Sequence, residues 1–170
     1  MRHAGSMALC IDKITGSRER NPMGNCLKVG ILGAGNIAGS MAEALNELQK
    51  EGKACAYAVA SRSQEKALEF ARKWNITRAY SSYEELASDP EVDLIYIATP
   101  HSLHYEQAKL CMEHGKNVLV EKAFTANARQ AEELFAMAEE KKVFITEAIW
   151  TRYMPSREII TGLLREGVIG

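Results

Sequence analysis

From Leu27 onward, short apolar runs alternate with longer amphipathic stretches, and this rhythm restricts the fold more than any other feature of the chain. Leu27–Leu32 and Ala54–Ala60 each read as a strand buried on both faces. Between them Ile37, Met41, Leu45 and Leu48 recur at helical spacing, which predicts a helix with those four side chains inward. The same period puts Ala67, Leu68, Ala71 and Trp74 on the buried face of a second helix, with Ser61 and Gln64 at capping-box spacing at its start. A short strand near Ala79, a brief helix over 83–87 and a central strand over 92–98 follow. Next come a helix over 104–114, a strand over 118–120, the longest helix over 126–141 and a strand over 143–146. Strands alternating with helices of this length require right-handed crossovers. The expected fold class is therefore α/β, a doubly wound and mostly parallel sheet with helices on both faces.

The rhythm is missing at both ends. Residues 1–25 are polar, carry Arg2, Lys13, Arg18, Glu19 and Arg20, and show no period, so they read as a disordered leader. Residues 26–149 form the main domain. After Trp150 one more helix is expected over 155–166, with Ile159, Ile160, Leu163 and Leu164 inward. Val168 and Ile169 follow Gly167 like the opening of another strand, so 150–170 reads as the truncated start of a second α/β domain.

Composition removes several function classes. With 21 Lys and Arg against 22 Asp and Glu, the chain lacks the cationic excess of a nucleic-acid binder. No apolar run reaches the length of a membrane span. The four cysteines, Cys10, Cys26, Cys55 and Cys111, form no C-x-x-C pair, and no secretory signal precedes them. Reduced thiols in the cytoplasm are the expectation.

Residues 33–38, Gly-Ala-Gly-Asn-Ile-Ala, match G-x-G-x-x-A between the first strand and the first helix. There Gly33 and Gly35 let the backbone approach a pyrophosphate, and the N–H groups of Asn36 and Ile37 face it. A tight turn with no ligand would use the same residues. An NAD site places an acid at the end of the second strand to accept the ribose hydroxyls, yet none occurs from Cys55 to Ser63. Ser61-Arg62-Ser63 instead offers a guanidinium flanked by hydroxyls, which suits a 2′-phosphate and favours NADP over NAD; a solvated arginine between serines that cap the next helix is the other reading.

Thr99, Pro100, His101 and His104 follow the central strand, where a doubly wound sheet opens its crevice. The two histidines have no acidic or thiol companions in sequence, so no metal is expected; capping or packing at the helix start is their ordinary use. Glu121 and Lys122 end the next strand on the same rim. A lysine partly desolvated beside a nicotinamide exchanges a proton with a substrate hydroxyl; taken alone, Lys122 reads equally as a surface lysine.

The glycine turn, T-P-x-x-x-H (Thr99, Pro100, His104), E-K (Glu121, Lys122) and W-x-R-Y-x-P (Trp150, Arg152, Tyr153, Pro155) together resemble the glucose–fructose oxidoreductase / inositol dehydrogenase / MocA family. Residues 147–152 are most similar to its dihydrodiol dehydrogenase and NADP-dependent xylose dehydrogenase branch. The resemblance implies a Rossmann domain, a following α/β domain that covers the nicotinamide and often forms a homo-oligomer interface, and hydride transfer between NADP and a CH–OH group of a sugar, polyol or dihydrodiol. It implies Lys122 as the proton-exchanging residue, Glu121 as its neighbour, and Thr99, Pro100 and His104 along the nicotinamide. Trp150 and Arg152 would close over the dinucleotide; a packing pair at a domain junction is their other reading.

Two departures stand out. The family's E-K-P is here Glu121-Lys122-Ala123, which removes a restraint on φ. Its second catalytic motif, Asp-x-Gly-x-His/Tyr, belongs to the later domain and lies beyond residue 170. A cofactor-binding module without catalysis and a nonfunctional fragment therefore remain open beside the oxidoreductase.

Overall fold

The structure, a computed structural model, describes residues 26–169. Among them six strands form one sheet: β1 Leu27–Leu32, β2 Ala54–Ala60, β3 Arg78–Tyr80, β4 Leu94–Ile97, β5 Asn117–Val120 and β6 Ile145–Glu147. Their order is β3-β2-β1-β4-β5-β6 and every pairing is parallel. The helices are α1 Asn36–Lys50, α2 Gln64–Trp74, α3 Tyr83–Ser88, α4 His104–Glu113, α5 Ala128–Lys141 and α6 Pro155–Arg165. This is the doubly wound α/β fold expected from the sequence.

The central strands β2 and β4 read as continuous apolar runs because helices cover both faces. Val29, Ile31, Leu94, Tyr96 and Leu119 pack against Met41, Leu45 and Leu48 of α1 and Phe70 of α2. Leu32, Ile95, Ile97, Val118 and Val120 face the other way, onto Leu86 of α3, Cys111 and Met112 of α4, and Leu134 and Ala138 of α5. Adjacent residues of β4 thus serve different layers, as a pleat requires. The order in which successive strands are added reverses between β1 and β4, and loops from both halves diverge there.

Several elements differ in detail from the sequence reading. Ile37 and Leu68 are exposed rather than inward; α1 buries Ala38, Met41, Ala42, Leu45 and Leu48, and α2 buries Ala67, Phe70 and Ala71. The cap of α2 is Ser63, whose Oγ accepts from Lys66 N at 3.4 Å, while Ser61 Oγ accepts from Ser63 N. The capping box falls on α3, between Ser82 and Glu85. Helix α5 starts at Ala128 because Asn127 Oδ1 caps it, accepting from Gln130 N at 3.0 Å.

Ile159, Ile160 and Leu164 of α6 are exposed rather than inward. Val168 and Ile169 form no strand. Residues 1–25, with the leader reading and Cys10, lie outside the described residues, as does Gly170. No helix of the described residues is long and apolar enough to cross a membrane.

Candidate functional site

The parallel sheet delivers the chosen residues to one rim. Hydrogen bonds continue one step past the strand ends: Ser61 N to Tyr80 O, Gly33 N to Ala60 O at 2.9 Å, Ala98 N to Leu32 O at 2.8 Å, Glu121 N to Ile97 O at 3.0 Å and Ala148 N to Val120 O at 2.7 Å. The loops leaving β2, β1, β4, β5 and β6 therefore stand side by side in that order.

Where the strand order reverses, the chain leaves β1 through Gly33, with φ at +105°, where a Cβ would lie 2.8 Å from Ala98 O. Both the backbone angle and the close β4 loop require glycine. Gly35 is the N-cap of α1 and offers no side-chain cap, and a Cβ there would meet nothing within 4 Å. Gly35, Asn36 and Ile37 are exposed, and the first turn of α1 carries no acid. Open space, free N–H groups and the positive end of a 15-residue helix meet at this point. Ala38 is fully buried, as the close approach of helix to sheet demands. These features fit a diphosphate.

At the neighbouring end of β2, Ser61 is half-buried and Arg62 exposed. Arg62 forms no hydrogen bond or ion pair with another described residue, so its guanidinium is available. On the other side, Thr99 donates its hydroxyl to Gln107 Oε1 at 2.5 Å, which anchors the loop after β4 to α4. Pro100 and His101 are exposed. His104 is fully buried: its Nε2 lies 2.9 Å from Thr99 O and its Nδ1 2.9 Å from Ala123 O. Its ring bridges the loops after β4 and β5 and is not presented to the crevice, so packing at the helix start is the use the fold makes of it.

Glu121 is tied at both oxygens. Tyr96 donates its hydroxyl to Oε1 at 2.5 Å, and the Lys122 backbone N–H donates to Oε2 at 3.1 Å. Burial first, and then the facing carboxylate, raise the Tyr96 phenol above its ordinary range, so it remains the donor. The Lys122–Ala123 peptide bond is cis. Lys122 itself is exposed, and its ammonium pairs with no described residue. Glu147 Oε1 accepts from Phe124 N at 2.9 Å and fastens the following loop to β6. Arg152 is exposed in the turn after β6; the side chain of Trp150 lies outside the described residues.

Sequence reasoning passed over Tyr96, Gln107 and the anchoring role of Glu147. A phenol within the apolar run of β4 was the available signal for Tyr96, since a buried hydroxyl needs a partner. Among the described residues, no group of three or more His, Cys, Asp or Glu is placed to hold a metal ion.

A parallel sheet whose strand order reverses at β1/β4, with a glycine turn entering an uncapped helix there, defines a dinucleotide-binding domain of the Rossmann class. Residues 27–148 match the oxidoreductase family with an NAD-binding Rossmann fold. The chain belongs to that family, the glucose–fructose oxidoreductase / inositol dehydrogenase / MocA oxidoreductases.

It is 43% identical over 143 residues to trans-1,2-dihydrobenzene-1,2-diol dehydrogenase of Xenopus tropicalis, covering 84% of this chain and 43% of that protein. With the D-xylose 1-dehydrogenase (NADP(+)) of Hypocrea jecorina it shares 40% over 153 residues, 85% of this chain and 39% of the relative. The crystal structure of a 3-ketoreductase from Actinomadura kijaniata with NADP superposes with a TM-score of 0.77 at 33% identity, covering 86% of this chain and 46% of that one. The chain thus spans less than half the length of the relatives it matches.

Proposed function

We propose that this chain is the dinucleotide-binding part of an NADP-dependent oxidoreductase acting on a CH–OH group of a sugar, polyol or dihydrodiol. The observation that carries the reading is the juxtaposition of two features on one rim: the uncapped, open helix start at Gly35 and, one strand over, the unpaired guanidinium of Arg62. In this reading Gly33, Gly35, Asn36 and Ile37 cradle the diphosphate through backbone N–H groups. Arg62 and Ser61 take the 2′-phosphate. The named relatives support it, since one is an NADP(+) dehydrogenase and another was crystallised with NADP.

The nicotinamide, when bound, supplies the hydride chemistry. Thr99, Pro100 and His101 border it, and His104 acts one layer down by fixing the loops on either side. Lys122 exchanges a proton with the substrate oxygen, its neutral amine accepting as the alcohol is oxidised and its ammonium donating as the carbonyl is reduced, and the side chain has no partner among the described residues to hold it back. Glu121 sits beside it, and by the family resemblance Arg152 with Trp150 would close over the dinucleotide. Residues 150–170 lead into the second α/β domain of such an enzyme, and the uncovered apolar side chains of α6 agree with this. The complete protein would be a cytoplasmic homo-oligomer whose partner is a small polyhydroxy molecule.

Fluorescence titration of the chain with NADPH and NADH tests the reading. Saturable binding of NADPH, tighter than NADH, is the expected result. Absence of saturation would remove the diphosphate cradle, and equal affinities would remove the role of Arg62.

A further inference from the structure

We propose that Tyr96 is a positioning residue that withholds Glu121 from Lys122, tethering the carboxylate so that the lysine's backbone is fixed while its ammonium stays unpaired. The inference deepens the proposed function and rests on Lys122 being the proton-exchanging group. Tyr96 stands among Leu94, Ile95 and Ile97 in a strand where an aliphatic or phenylalanine side chain would fill the space without a polar atom. It is 2% exposed, and a hydroxyl buried to that degree is costly unless bonded. Among the described residues its partner is Glu121 Oε1, contributed by the loop after the next strand.

The geometry of Glu121 extends the contact to Lys122. One carboxylate oxygen accepts from Tyr96 and the other from the Lys122 backbone N–H at 3.1 Å. Both bonds are charge-assisted, and held at two points the carboxylate has little freedom to rotate. Without the phenol, Glu121 would be the nearest anion to the Lys122 ammonium in sequence and free to swing toward it. An ion pair there would restrain and partly neutralise the group that must reach a substrate. The tether therefore separates two tasks that neighbouring Glu and Lys side chains would otherwise confuse: the carboxylate orients backbone, and the exposed ammonium is left without an ion-pair partner among the described residues.

Two-dimensional amide spectra of the 15N-labelled chain test this in wild type, Tyr96→Phe and Glu121→Gln. In Tyr96→Phe the Lys122 amide proton should move upfield and exchange with solvent about tenfold faster, the scale of a weakened hydrogen bond to a charged acceptor. The Ala98 and Ala148 amides, which hold the rim to the sheet, should not move; general loosening would move them too. An unchanged Lys122 amide in a folded Tyr96→Phe would overturn the proposal. If that variant does not fold, Glu121→Gln decides: the Lys122 amide and the Tyr96 ring resonances, the latter read in an aromatic 1H–13C spectrum of a chain labelled with 13C as well, must both shift, and a shift of only one breaks the connection. NADPH titration of the same wild-type sample keeps the two ideas apart. A chain that ignores NADPH but shows the coupled shifts loses the cofactor reading and keeps the tether; one that binds NADPH without them loses the tether alone.

Discussion

Gly33 and the carbonyl oxygen of Ala98 stand so close that a Cβ on the glycine would lie 2.8 Å from that oxygen. Gly35, two residues on, has no heavy atom within 4 Å of the same position. The two glycines of one turn thus answer to different constraints, internal packing for the first and open space for the second. Gly33→Ala should destabilise the fold by about 1–3 kcal/mol, since it adds a clash to a backbone angle of +105°. Gly35→Ala should cost at most about 1 kcal/mol, the scale of an N-cap change, yet weaken NADPH binding by crowding the cradle. Urea unfolding and NADPH titration of both variants check this. An equal stability loss in the two would contradict the distinction.

Arg62→Ala should leave unfolding unchanged, because the side chain is exposed and unpaired among the described residues. NADPH affinity should fall about tenfold or more, the scale of lost charge-assisted bonds, with NADH affinity barely altered. Parallel titrations with the two dinucleotides read the difference, and equal losses would exclude a 2′-phosphate contact.

Lys122→Met should alter NADPH affinity little, because the glycine turn proposed to hold the diphosphate lies on a different loop. In a form carrying the second domain, turnover should drop by a much larger factor than the cofactor Kd changes, about 100-fold for a lost general acid–base group. Steady-state kinetics beside equilibrium binding separate the two effects, and undiminished turnover would take Lys122 out of the chemistry.

Asp89 is 4% exposed and accepts from the Tyr80 hydroxyl at 2.8 Å and Glu91 N at 3.0 Å, with Arg78 at 3.6 Å. Burial pushes its pKa up, but the Glu91 N–H, the Tyr80 hydroxyl and the charges of Arg78 and Lys116 together outweigh it, so the carboxyl lies below its ordinary 3.8. A depressed folded value means that the unfolded chain binds the proton more readily. The stabilisation is therefore present above 3.8 and lost as pH falls through the folded value. Asp89→Asn should cost about 1–3 kcal/mol at neutral pH and flatten the acid limb of the stability profile. Urea midpoints measured from pH 7 down to acid unfolding test both; parallel profiles for the two proteins would refute the linkage.

Leu164→Lys and Ile159→Glu on α6 should leave the unfolding midpoint of the sheet domain within about 0.5 kcal/mol, since neither side chain is buried. Light scattering should show less self-association in both, because they break up an exposed apolar stripe. A large stability loss would mean that α6 contributes to the core.

The fold was legible because β2, β4 and the part of β1 after Lys28 are covered on both faces, so their runs carry no charge and the glycine turn falls between a strand and a helix. Helix faces were less legible. Ile37 and Leu68 fit the period but project away from the sheet, because periodicity fixes spacing and leaves the rotation of the helix to packing. Ser61 and Ser63 were ambiguous caps, two residues apart, and only the path of the chain after β2 selects Ser63. Ile159, Ile160 and Leu164 form an apolar stripe whose spacing names no covering surface. The rim residues were recognisable from their motifs, whereas Tyr96–Glu121 and His104–Ala123 were not: each joins side chains and carbonyls on different strands, and sequence separation hides such partners.

Since all six strands share one direction, the turns at Gly52 and Gly115, which lead into β2 and β5, sit at the far end of the sheet from the crevice. Both glycines have φ near +70° and open space around them. A linker attached beside either turn would anchor the domain to a surface with its crevice facing outward, so one end can be immobilised while dissolved dinucleotide is counted in at the other.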